Sequence, residues 1–429
     1  MLKINNKLLK IGGKTVAFGD IILKLHFDSV TNFKFTLKDE YHYNCTFIWG
    51  DGTTEKLNYY DDDNNGCTST SSSSTSQTPE DCFSALTHTY QTGNYYLRIK
   101  GRCETLAFPG NENIIEVVSW GLAEITKLSY INFSSCSNLN KLPNESSGLK
   151  YIENLDDAFG YTAINNIYQN IFKNLTITSM KDTFTGTQIT EANIKIPSSV
   201  TDISGLYSYC DNLKTINLDL NNVTKMNNCF RSSGNNNIIN IYNLDLSNII
   251  ECTQYIYNDS VIFHNLKISN TTPNEWQYVY HSDYDIKKII NLDTTNLTAL
   301  SIKLKYLTYI SFKDTTSITN MTNLFNNCTS LVNIINLNTS NATTLEHAFS
   351  NTKIKKLNSL NTSNCSNFDY LFDSCHDLIC IPSIDTSLIT RTQNNTFSDC
   401  DSLIEPDETT RNALITVAGK GSWTNSNSC

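Results

Sequence analysis

A few groups of residues have the types and spacing to do chemistry. Asp61, Asp63 and Asn65 place oxygen donors at alternate positions ahead of Gly66, as the opening of a calcium loop does. The twelfth position of such a loop carries a bidentate Glu; here it is Ser72. A solvated acidic loop tip is therefore the favoured reading of these three residues, with calcium the weaker one. Gly12-Gly13-Lys14-Thr15 ends like a phosphate loop, but Leu8 stands where the first Gly belongs, so a hairpin turn accounts for it. Cys375-His376-Asp377 with Cys380 offers thiols and an imidazole close together. The seven His lie far apart, with no pair four residues apart, and acid pairs such as Asp156-Asp157 fall at turns. No catalytic residue and no cofactor is expected. A glycan-active enzyme would need two acids facing one ligand, and spacing alone reveals no such pair.

Cys375 belongs to a larger pattern, and that pattern dictates the elements. Aromatic-x-x-Cys-x-x-Leu occurs as Phe133-Cys136-Leu139, Tyr207-Cys210-Leu213, Phe325-Cys328-Leu331, Phe372-Cys375-Leu378 and Phe397-Cys400-Leu403. A variant with Thr or Ser in place of Cys gives Phe159-Thr162-Ile164, Phe184-Thr187-Ile189, Tyr257-Ser260-Ile262 and Phe349-Thr352-Ile354. Phe230, Tyr280 and Leu304 fill the remaining slots less well, giving twelve slots about 24 residues apart. After each comes a phrase such as Leu331-Val-Asn-Ile334-Ile-Asn-Leu337-Asn-Thr-Ser-Asn341. Such a phrase predicts one short strand followed by a side-chain-bonded turn. One strand and one turn per repeat predicts a solenoid whose stacked neighbours share a core. The repeated Cys then reads as a small buried hydrophobe in an internal ladder. Cys67 and Cys82 bracket a Ser/Thr tract instead and could close that loop if oxidised.

Asn320-Met-Thr-Asn-Leu-Phe-Asn-Asn-Cys-Thr-Ser-Leu331, running on to Leu337-Asn-Thr-Ser-Asn341, resembles the repeat of BspA-type leucine-rich-repeat surface proteins. The resemblance covers about residues 117 to 403 and implies a solenoid used for adhesion or binding, without catalysis. Ahead of it, Trp49-Gly-Asp51-Gly52 and His88-Thr-Tyr90-Gln-Thr-Gly93-Asn-Tyr95 resemble the signatures of PKD-type immunoglobulin-like domains. Here Gly50 follows Trp49 directly, and a long insertion separates the two motifs. That resemblance implies a β-sandwich spacer or docking module in which Trp49, His88 and Tyr90 are structural. The strand–turn phrases between Ile4 and Asp20 resemble attachment segments of some tailed-phage structural proteins.

The expected protein is mainly β. It has a possible attachment segment at 1–25, a PKD-like sandwich at 26–116 with an insertion at 58–85, a leucine-rich-repeat solenoid of about twelve repeats at 117–403, and a cap at 404–429. The cap would be a helix opened by Pro406 and closed by Gly419. Composition agrees with a repeated polar turn, since Asn makes up 56 of 429 residues while only 17% are charged. The net charge of −10 argues against nucleic acid as a partner, and no apolar run is long enough for a membrane helix. The absence of an export-like leader favours a virion fibre or capsid decoration at the particle surface, with a bacterial cell-surface adhesin as the alternative. Expected partners are a host-surface glycan or protein, neighbouring virion or surface proteins through the N-terminal region, and further copies of the chain. A purely structural or assembly protein is the remaining non-enzymatic reading.

Overall fold

In the computed structural model the described residues are 10–11, 14–15, 19–35, 37–38, 41–59, 68–70, 86–235, 237–252, 261–268, 286–381, 384–404, 408 and 412. The calcium candidates Asp61, Asp63 and Asn65, the Cys67 and Cys82 pair, and nearly all of the expected cap lie outside them. The chain divides into two compact units, Met1–Leu213 with Met226–Ser233, and Lys214–Lys225 with Gly234–Cys429. Among the described residues no helix is long and apolar enough to cross a membrane.

The first unit opens with a hairpin of β1 (Lys10–Ile11) and β2 (Lys14–Thr15), whose strands flank Gly12-Gly13. Next come β3 (Ile21–Phe27), β4 (Thr31–Phe35), β5 (Tyr43–Ile48), β6 (Thr54–Tyr59), β7 (Thr68–Thr70), β8 (Leu86–Tyr90) and β9 (Gly93–Cys103). They are followed by β10 (Thr105–Ala107) and β11 (Ile114–Trp120). One antiparallel sheet runs β11-β3-β9-β5-β6-β7, and β4 pairs with β8 in another. Alternation decides which side is buried: Tyr43, Cys45 and Phe47 of β5 are buried, and their neighbours are not. Phe27, Phe33, Phe35, Trp49 and Tyr90 complete a wholly buried aromatic core. The limits expected at residues 25 and 116 each fall inside a strand, β3 and β11, so both belong to this sheet.

Hydrogen bonding places the start of the solenoid earlier than the repeat pattern does. β10 pairs in parallel with β12 (Tyr130–Asn132) across a short helix, α1 (Ala123–Thr126). The Phe108 and Gly110 amides then donate to the carbonyls of Asn132 and Ser134, on either side of Phe133. The same pattern recurs one repeat on: Phe133 and Ser135 donate to Ala158 and Gly160, and Phe159 and Tyr161 to Thr183 and Thr185. Phe184 and Gly186 donate to Leu206 and Ser208, and Tyr207 and Tyr209 to Cys229 and Arg231. Phe108 is thus the first member of the column, packed 5.9 Å from Phe133. The rings of Phe133, Phe159, Phe184, Tyr207 and Phe230 follow at centroid separations of 5.7 to 6.3 Å.

This backbone is no ordinary strand. Residues two before and two after the aromatic take left-handed conformations, as at Asp157, Tyr161, Asp182, Tyr209, Asn228 and Ser232. Gly186 fills one such place, and a Cβ added there would lie 2.4 Å from the Tyr161 ring. The amides of Asp157, Tyr161, Asp182, Gly186 and Tyr209 all donate to the following repeat.

The first unit also holds the short β13 (Glu191–Ala192). The second unit builds on a parallel ladder of β14 (Thr215–Ile216), β15 (Ile239–Tyr242), β16 (Val261–His264), β17 (Ile286–Asp293), β18 (Tyr309–Asp314) and β19 (Asn333–Ile335), in that order. Its aromatic column holds Phe325, Phe349, Phe372 and Phe397, with centroids 5.3 to 6.0 Å apart. The slot before Phe325 belongs to Ile302, whose amide donates to Leu324; Leu304, expected there from sequence, sits two residues too late. The described residues form a mainly β protein with a solenoid of about nine turns. Tyr257 and Tyr280, two of the twelve expected slots, lie outside the described residues.

Candidate functional site

The phrase that ends each strand shows what holds a rigid outer face in place. In Asn338-Thr339-Ser340-Asn341, the Asn338 side chain accepts the Ser340 amide at 2.9 Å and closes the turn. The buried Thr339 hydroxyl donates to the Asn361 carbonyl and accepts the Asn361 amide, both at 2.8 Å, one turn further on. Asn341 donates back to the Thr316 carbonyl at 2.8 Å. Thr315 and Thr362 repeat the Thr339 arrangement with Asn338 and Asp385. Asp293 ends β17 in the same way and is paired with Lys313 at 2.8 Å. Burial works against its ionised form, but the bonds from Lys313 and Thr295 outweigh that and hold it down at about 2.

On this frame the second unit carries registered rows of outward side chains. Strand pairing aligns Thr215, Asn240, Ile262, Lys288, Tyr309 and Asn333 in one row. A second row aligns Tyr242, His264 and Ile290. The Tyr242 and His264 rings stack at 4.4 Å, and His264 Nε2 lies 3.2 Å from Asn240 Oδ1. Partial burial lowers the His264 pKa, which keeps the ring neutral near pH 7. Just past β15 and β16, and at an irregularity within β17, Asn243, Asn265 and Asn291 are left-handed, and their side chains bond in series at 3.0 and 2.7 Å. The result is a preorganised polar and aromatic surface.

The repeat positions of both units are buried and closed to chemistry. Phe133, Phe159, Phe184, Tyr207, Phe325, Phe349, Phe372 and Phe397 are all buried, as are Cys136, Cys210, Cys328, Cys375 and Cys400. Each of these thiols donates to the carbonyl of the residue filling the aromatic slot one turn back, at 3.0 to 3.2 Å. Thr187 and Thr352 donate instead to the aromatic carbonyl of their own turn. Burial pushes the Cys210 thiol up to about 11 and those of Cys136 and Cys328 to about 12, far from the thiolate a nucleophile needs. His376 points away from Cys375 and pairs with Asp401 at 2.8 Å, while Cys380 is disulfide-bonded. Among the described residues no group of three His, Cys, Asp or Glu is placed to hold a metal.

The seven motif residues of the first unit come together at one corner of its sandwich. Trp49 is buried, and His88 stacks on it at 4.6 Å, nearly coplanar. His88 Nε2 lies 2.7 Å from Asp51 Oδ2, and Asp51 Oδ1 accepts the Thr53 amide at 2.9 Å. Gly52 supplies the positive φ of that turn. Tyr90 donates its hydroxyl to the Trp49 carbonyl at 2.8 Å, and Tyr95 packs against both Tyr90 and Gly93. Burial raises the Tyr90 hydroxyl well above its ordinary value. The Asp51 carboxylate, the His88 Nε2 and the Tyr90 hydroxyl are thus spent on the fold.

A family described as "Mycoplasma protein of unknown function, DUF285" matches residues 178–288 and 295–406, more than half of the chain. The chain belongs to the DUF285 family. The family match takes in the outward row from Thr215 to Asn333 and the aromatic slots from Phe184 to Phe397. Among solved structures, a leucine rich cell surface protein from Faecalibacterium prausnitzii A2-165 is similar at 13% identity, over 75% of this chain and 92% of that chain, with a TM-score of 0.24. No curated protein matches the chain.

Proposed function

We propose that this DUF285 protein is a non-enzymatic recognition protein displayed at a bacterial cell surface, where its solenoid binds a glycan or a protein of another surface. The observation that carries the reading is the outward face of the second unit, with Tyr242, His264, Lys288 and Tyr309 held in registered rows. Asn, Tyr and neutral His present hydrogen bonds and ring faces at low entropic cost, as recognition surfaces do. The BspA-like repeat at residues 320–341 supports the same role. The first unit, with its PKD-like corner, serves as a stiff spacer or as the docking module toward neighbouring surface proteins. The virion setting rests on strand–turn phrases between residues 4 and 20, most of which lie outside the described residues.

The test is binding of the labelled full chain to cell surfaces and to an immobilised glycan panel, alongside the double variant Tyr242→Ala, His264→Ala. Saturable binding that the double variant weakens is the expected result. No binding to any surface would leave a spacer or assembly role and overturn the proposal. New reducing ends on a bound polysaccharide would overturn its non-enzymatic part.

A further inference from the structure

The chain carries a net charge of −10, yet residues 286–357 hold eight Lys against three acidic residues. Two of the acids are already engaged: Asp293 pairs with Lys313, and Glu346 accepts from Asn367. The excess cations do not spread round the solenoid. Lys288 is in register with Tyr309, and Tyr309 with Asn333. The repeat puts Lys356 at the next place in that row, since Ile354 and Leu357 match Leu331 and Ile334. Beside the row, Lys355 occupies the position equivalent to Lys287, and the two turns between carry Thr308 and Val332. Lys287 and Lys305 each lie 5.1 Å from the Tyr306 ring. Lys288, Lys305, Lys355 and Lys356 are exposed, and no carboxylate among the described residues forms an ion pair with them.

Neighbouring strands are about 4.8 Å apart, so Lys288 and Lys356, three turns apart in the row, stand roughly 14 Å from one another across Tyr309 and Asn333. An anionic ligand laid along the row meets positive charge at both of its ends. We propose that this strip is the binding site for a linear anionic polysaccharide, with sulfate or carboxylate groups spaced along the chain. The inference rests on the recognition role above and names its ligand class. Lysines stand at both ends of the row, with Lys305 over the Tyr306 ring in the turn after Lys288, so an extended polymer meets several at once. Tyr306 and Tyr309 lie between them as half-buried rings, which pack against sugar faces while the ammonium groups take the charges. All the cations are Lys, point charges on flexible stems that suit irregularly placed anions, with none of the forked Arg recognition used for fixed phosphates. The acidic remainder of the chain restricts the footprint to this strip.

The experiment measures binding of the full chain to immobilised heparin and to chemically desulfated heparin, across a salt series. The triple variant Lys288→Ala, Lys305→Ala, Lys356→Ala is compared with wild type after its urea midpoint has been matched. The expected result is heparin binding that falls steeply with salt, is weaker on the desulfated polymer, which keeps only its carboxylates, and is about a hundredfold weaker in the triple variant. Equal affinity for both polymers, or an unaffected triple variant, overturns the proposal. So does tighter binding to anionic lipid vesicles or to nucleic acid, or self-association of the chain that the same three substitutions abolish. Cell-surface binding without heparin binding removes this ligand and leaves the recognition role standing. Loss of all surface binding removes both.

Discussion

At the residue scale the solenoid is a column of side chains, each with one job, and Tyr207 departs from its slot. It stacks 5.7 Å from Phe184 and 6.3 Å from Phe230, and its hydroxyl is buried without a hydrogen-bond partner. An unsatisfied buried hydroxyl costs about 1–3 kcal/mol. Tyr207→Phe keeps the ring and removes that group, so it should raise the unfolding free energy by about 1 kcal/mol. Urea denaturation measures it, and a lower midpoint for the variant would show that the hydroxyl earns its place. The column also shows where single residues escape a reading by pattern. Phe108 has Asn111 rather than Cys or Thr three residues on and is followed by Pro109-Gly110, so nothing near it resembles the repeat. Ile302 is aliphatic, with another apolar residue two places later, and only its amide bond to Leu324 and the Cys328 thiol on its carbonyl reveal its slot.

At the scale of one turn, the Asn-Thr-Ser-Asn phrase is a linker between turns as much as a corner within one. Thr339 tests this, because its hydroxyl satisfies both polar groups of the Asn361 peptide that face it. Thr339→Val has nearly the same shape but strands a carbonyl and an amide, and should cost about 2 kcal/mol or more. Thr339→Ser keeps both bonds and should cost less than half as much; equal losses in urea titrations of the two would mean that packing, not bonding, sets the role. The strand and its turn were legible in the sequence because apolar spacing and Asx-Thr-Ser signals are local. The two left-handed positions around each aromatic were not. Asp, Asn, Ser, Tyr, His and Gly all occupy them, so no residue type marks the place. What they share is backbone geometry imposed by the turns above and below.

For the whole molecule, the repeat period announces the solenoid, whereas its outer chemistry stays hidden until the turns stack. Lys288 and Lys356 are 68 residues apart in sequence, and the line they form exists only through register. Charge summed over the chain points away from anionic partners, while charge per turn points toward one. The thiols make a further prediction about the folded molecule. Ten described cysteines are buried thiols, and burial raises those of Cys136, Cys210, Cys328, Cys365 and Cys375. N-ethylmaleimide should therefore leave peptides bearing these five cysteines unmodified in the native chain and label them all above the urea midpoint. Native labelling of any one, read by mass spectrometry, would locate a turn that opens on its own. The amides flanking each aromatic have one last consequence. From Phe133 to Tyr207 and from Phe325 to Phe372 they point to the next turn and their partner carbonyls to the previous one, so each column is vectorial. It can lengthen by whole repeats without altering its neighbours, and its two ends differ chemically. Two such columns can therefore join only nose to tail, the amides of one meeting the carbonyls of the next.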